Sequence, residues 1–139
     1  MEPNDFTFED ITVGDQASFE RVFEEKDLQT FADLSGDYNP LHLDPMYAAE
    51  TSFGRPVVHG MLVASLCSTL MGTYLPGRRC LYLAQTLEFR KPVFVGDVVT
   101  VTGTVMTKSP ATRILTIAIS ITREAEDAVL GVATVKVLE

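Results

Sequence analysis

Apolar and polar residues follow two rhythms along this chain, and the rhythm changes near residue 80. Over residues 24–34, Leu28, Phe31, Ala32 and Leu34 recur at helical spacing behind an acidic first turn. That pattern predicts an amphipathic helix, ended by Ser35-Gly36. Residues 60–75 are apolar on nearly every side, interrupted only by small residues such as Ala64, Ser65, Ser68 and Gly72. The run is too long for a strand and predicts a buried helix, stopped by Pro76-Gly77. Beyond it the period falls to two. Residues 81–89, 97–108, 113–122 and 128–138 alternate and are rich in Val, Ile and Thr, which predicts strands with turns at 109–111 and 124–127. One further strand is expected over 17–23, behind a lead-in at 7–14 with Phe6, Phe8, Ile11 and Val13 as apolar anchors. Residues 37–45, dense in Asn, Pro and His, are expected to be irregular, with a helical turn or two over 46–50.

One apolar helix and about five strands make an α+β domain. The simplest packing is a curved antiparallel sheet wrapped around the 60–75 helix. Such a sheet leaves edge strands, and pairing two of them across a two-fold axis predicts a homodimer.

At 139 residues the chain suits one domain, large enough to bury a core without disulfides or a structural metal. The net charge of −8 argues against nucleic acid, whose phosphates require a basic face. A small anionic ligand needs only a local cluster such as Arg78-Arg79 or Arg90-Lys91, although either pair alone reads as solvated surface. No apolar run approaches the ~20 residues that cross a bilayer. The polar N-terminus, Met1 to Asp5, lacks the order of a secretory signal, so a reducing cytoplasm is expected for Cys67 and Cys80. Two cysteines without a histidine cluster do not form a metal site.

The chemistry concentrates in Asp37-Tyr-Asn-Pro-Leu-His42-Leu-Asp44, followed by Gly54-Arg-Pro-Val-Val-His59-Gly60-Met61. A carboxylate beside an imidazole can hold one water between them. On a regular helix a five-residue spacing would set Asp37 and His42 about 140° apart, whereas a loop broken by Gly36 and Pro40 can bring them together. Alone, Asp37 reads equally well as a turn residue, His42 as a hydrogen-bonded structural histidine and Asn39 as an Asx turn before Pro40. Gly60 falls where the central helix begins, with free N–H groups and the positive dipole end, and glycine permits close approach to the backbone. Ser68 lies a little over two turns further on, and its hydroxyl can also bond the backbone four residues back.

With Gln85 to Asp97 and the lead-in Phe8 to Asp15, these segments resemble the MaoC-like dehydratase family, specifically its short (R)-specific enoyl-CoA hydratases, over nearly the whole chain. The resemblance implies a single hot-dog domain over residues 1–139, acting on an acyl-CoA without cofactor or metal. It implies catalysis by Asp37 and His42, an orienting role for Asn39, an oxyanion role for Gly60 and a supporting serine at Ser68. The activity implied is addition of water to a trans-2-enoyl-CoA, giving an (R)-3-hydroxyacyl-CoA, as in polyhydroxyalkanoate precursor supply or fatty acid metabolism. A 3-hydroxyacyl-carrier-protein dehydratase is the alternative on another carrier, which the acidic surface disfavours. A non-catalytic acyl-thioester-binding subunit would be expected to lack Asp37 or His42. His59 reads as structural, held beside the helix start, and is the rival to the dyad.

Overall fold

The computed structural model describes residues 1–139. In chain order, β1 (Gln16–Val22) is followed by α1 (Glu25–Ser35), α2 (Pro40–Leu43), α3 (Pro45–Ala49), α4 (Gly60–Ala64) and α5 (Leu66–Thr69). A π-helical turn, Leu70–Tyr74, completes the central helical segment. Then come β2 (Cys80–Gln85), β3 (Glu88–Phe89), β4 (Val98–Ser109), β5 (Ile114–Arg123) and β6 (Glu126–Val137). The sheet has six strands in the order β1-β4-β5-β6-β2, with β3 also paired to β6. Every pairing between named strands is antiparallel.

Alternation decides which face is covered. Val99, Val101 and Val105 on β4, and Leu115, Ile117, Ile119 and Ile121 on β5, are buried. Thr100, Thr102 and Thr104 lie between the β4 valines and are partly exposed on the opposite face. Register carries the buried row across the strands, with Phe19 opposite Val101, Val101 opposite Ile121 and Ile121 opposite Val129. The helical segment packs onto this row through Val63, Leu66, Cys67, Leu70 and Met71, all buried in the same cluster. Gly103 allows the close approach: a Cβ there would lie 2.6 Å from Leu70 Cδ2. The lead-in is pinned from the sheet by Lys108. Its ammonium donates to the Phe8 and Ile11 carbonyls at 2.8 and 2.5 Å and sits 4.5 Å over the Phe8 ring.

Three expectations need correction. The helix over 60–75 is two short α-helical pieces and a π turn rather than one α-helix, interrupted at Ser65. It is also not covered all round: Met61, Ser65 and Ser68, at i, i+4 and i+7, form an exposed stripe. The strand over 81–89 divides into β2 and β3, with a register shift between Tyr82 and Ala84 that leaves Leu83 as the extra residue of a bulge. Finally, residues 37–45 hold helical turns. Asn39-Pro40 and Asp44-Pro45 are N-cap and first-turn pairs, with Asn39 accepting from Leu41 N–H and Asp44 from Met46 and Tyr47 N–H.

Candidate active site

Four short segments meet at the start of α4, two from residues 36–42 and two from residues 57–60. The first is the end of α1. Gly36, at φ 80°, donates its N–H to the Ala32 carbonyl and turns the chain out of the helix, delivering Asp37. Asp37 Oδ1 accepts the Asn39 N–H at 3.2 Å, and its Oδ2 lies 4.0 Å from His42 Nε2. Asn39 is therefore used twice: its side chain caps α2 and its main chain holds the Asp37 carboxylate.

His42 rides on α2, the second segment, with its side chain 12% exposed against 48% for Asp37. Its Nδ1 lies 2.7 Å from the Val57 carbonyl, in the third segment. A carbonyl oxygen only accepts, so Nδ1 carries the hydrogen and the neutral ring presents its Nε2 lone pair toward Asp37. Two acceptors 4.0 Å apart cannot bond each other. A water about 2.8 Å from each can donate one hydrogen to each and keep a lone pair free.

His59 closes the base of the site. It is 1% exposed and immediately precedes α4. Its ring stacks on His42, centroids 4.0 Å apart and planes 25° apart, and meets the Phe31 ring near edge-on at 4.9 Å. Nε2 donates to the Asp37 main-chain carbonyl at 3.1 Å, while Nδ1 has no partner. Burial pushes the His59 pKa below the ordinary histidine value, helped by His42 and opposed by the bond to Asp37. Donor atoms of Asp37, His42 and His59 all lie within 4.8 Å of one another. They nevertheless make a poor metal site, because imidazole lone pairs lie in the ring plane and two nearly parallel stacked rings cannot aim them at one point.

Gly60, the fourth segment, is the first residue of α4. Its N–H has no acceptor within the chain. Gly60 and His42 line one cavity of about 330 Å³, with Val57, Phe53, Phe89 and Val129 among its apolar walls. The Phe89 ring lies so close that a Cβ on Gly60 would be 3.1 Å from two of its carbons. Arg90 and Lys91 also border this cavity, paired with Glu88 and Glu126. His42 borders a second cavity of about 560 Å³, which includes Lys26 and Arg55.

Asp37 meets Asn39 and His42, and His42 shares a cavity with Gly60, while neither Asp37 nor Asn39 lines either cavity. Ser68 does not join them: it is exposed on the helical segment and lines neither cavity. Ser65 is the serine that bonds back to the helix, donating to the Leu62 carbonyl at 2.6 Å. Sequence reasoning missed the Val57 carbonyl, which no side-chain pattern reveals. It also missed Phe89, although Phe89 lies inside the segment that carries the family resemblance.

The MaoC like domain family matches residues 8–125. An (R)-specific enoyl-CoA hydratase of Aeromonas caviae is 54% identical over 90 residues, covering 65% of this chain and 67% of that protein. An (R)-specific enoyl-CoA hydratase of Rhodospirillum rubrum is 41% identical over 130 residues, covering 94% of this chain and 90% of that one. The structure of an R-hydratase from Pseudomonas aeruginosa superposes with a TM-score of 0.93 at 38% identity, over 99% of this chain and 88% of that one.

Proposed function

The chain belongs to the MaoC like domain family, and from that premise we propose how its hot-dog fold adds water to a trans-2-enoyl-CoA to give an (R)-3-hydroxyacyl-CoA. The observation that carries this reading is the pair of facing acceptors, Asp37 Oδ2 and His42 Nε2, 4.0 Å apart beside the helix start. One water bonded to both keeps its remaining lone pair for the substrate's β-carbon. As the C–O bond forms, one O–H bond breaks and its proton passes to Asp37 or His42. The α-carbon then takes a proton from the same pair, on the same face, and the net change is syn addition of one water. Between these events the thioester oxygen carries enolate charge. The Gly60 N–H, without an acceptor in the chain and opening on the cavity beside His42, is placed to receive it. Asn39 orients the dyad by fixing Asp37 Oδ1. Ser68 is kept as a supporting residue only for a site closed from its exposed side.

The acyl chain fits the apolar cavity between Phe53, Phe89 and Val129. The net charge of −8 favours CoA over an acidic protein carrier. The proposal extends to residues 1–139 as one domain and to a homodimer. Asp37 is half-exposed, and the edge strand β2 leaves Leu81 and Leu83 at 45% and 49% exposure, so a second copy has an apolar edge to cover. No helix is long and apolar enough to cross a membrane. Two free thiols suit a reducing compartment, here the cytoplasm.

The test is loss of enoyl-thioester absorbance on crotonyl-CoA, followed by chiral analysis of the product. The expected result is rapid hydration to the (R)-3-hydroxy product. An (S) product, or thioester cleavage without hydration, would contradict the reading.

A further inference from the structure

His59 is the one buried polar residue of the core, and nothing in the water-addition chemistry consumes it. It is an expensive residue to keep. Its Nδ1 is buried without a hydrogen-bond partner, so a ring retained for packing alone would be better replaced by a hydrocarbon. What His59 does touch is both halves of the dyad. Its Nε2–H holds the Asp37 carbonyl at 3.1 Å, and its ring lies on the His42 ring at 4.0 Å. Its own carbonyl accepts the Leu62 and Val63 N–H groups at 3.0 Å each, which fixes the first turn behind Gly60.

Other restraints on the dyad act on one member at a time. The Val57 carbonyl fixes the Nδ1 end of His42 and leaves the ring plane to be set by what packs against it. Asn39 fixes Asp37 Oδ1 from only two residues away, on an exposed loop. A gap that must hold one water in place tolerates little drift in either group. We infer that His59 is a positioning residue, a single imidazole that grips the backbone of Asp37 through Nε2–H and the face of His42 through stacking, and so sets the 4.0 Å gap between them.

This inference rests on the hydratase reading, and its test separates the two. H59Q places an amide nitrogen where Nε2 stands, and H59N places one where Nδ1 stands. The two variants lose the same ring, and only one keeps the donor for Asp37. H59Q is expected to keep kcat within about ten-fold of the parent, and H59N to lose about 100-fold, the scale of an ångström-level misplacement. KM is expected to stay within about two-fold in both, since His59 lines no cavity wall. Equal kcat in H59Q and H59N, or a loss that follows their melting temperatures, would overturn the inference. H59F supplies a check on stability. It loses the orphaned nitrogen and the bond to Asp37 together, so it is expected to melt close to the parent while losing activity like H59N, and full activity in H59F would again overturn the inference.

A parent protein that fails to hydrate crotonyl-CoA would sink the proposed function and leave His59 to be judged by spectroscopy. The chain has only two histidines, so selective ring labelling with 15N gives two ring systems. His59 is expected as the Nε2–H tautomer. An Nδ1–H tautomer would show that the tether to Asp37 does not exist.

Discussion

At Gly60 a single missing methyl group shapes the site. A Cβ there would press on the Phe89 ring at 3.1 Å, in the wall of the cavity that Gly60 and Phe89 both line. Gly60→Ala keeps the N–H but puts a methyl group against Phe89 beside it, so it is expected to lower kcat on crotonyl-CoA about 100-fold by displacing the thioester, the scale of an ångström-level misplacement. Its thermal midpoint should change little, because alanine favours the helix it begins. Equal activity in the two proteins would remove Gly60 from the site. His59 makes a separate prediction about acid stability. In the unfolded chain it takes up a proton near the ordinary value of 6.5, whereas burial delays protonation in the fold to lower pH. As pH falls through about 6.5 the unfolded chain binds a proton that the fold refuses, so stability declines until the folded value is reached. Urea denaturation at about pH 7.5 and about pH 5 should show this decline in the parent and a shallower one in H59F. An identical slope in the variant would assign the acid sensitivity elsewhere. The residue types at Asp37, Asn39, His42 and Gly60 were legible because their motif is dense and specific. The Asp37–His59 contact was not, since it joins a side chain to a main-chain carbonyl 22 positions away.

The elements follow from period and capping, and their interruptions follow from packing. Alternation located β4, β5 and β6 to within a few residues, because one face of each is buried and the other is not. Apolar content alone could not show that the helical segment breaks at Ser65 and ends in a π turn. Nor could it show that the segment leaves a Met61-Ser65-Ser68 stripe open. Residues 37–45 read as irregular in sequence, although Asn-Pro and Asp-Pro each start a helix when the first residue caps and the proline follows at the first turn. The contact that seats the helical segment on the sheet is Leu70 against Gly103. Gly103→Ala is expected to cost about 1–3 kcal/mol by overpacking. The same substitution should cost distinctly less in a Leu70→Ala background, where the leucine methyl no longer opposes it. Additive losses in urea denaturation would mean that this contact does not set the spacing.

For the molecule as a whole, the change of period was sufficient to reach an α+β domain with an antiparallel sheet wrapped around a helix, and the motif resemblance identified it as a hot-dog fold. The need to cover a sheet edge was also legible, but which edge was not. The dimer proposed above uses β2, one of two terminal strands, because a bulge there turns Leu83 out, and both features are set by pairing between distant strands. Leu83→Asp is expected to shift the protein from dimer to monomer in sedimentation equilibrium, and an unchanged dimer would place the interface elsewhere. The most direct test of the whole account is the turnover of Asp37→Asn on crotonyl-CoA. This substitution preserves shape and removes the charge proposed to share a water with His42. A loss of about 10²–10⁴-fold in kcat, with melting temperature unchanged, is expected. Turnover within a few-fold of the parent would contradict a mechanism built on that pair.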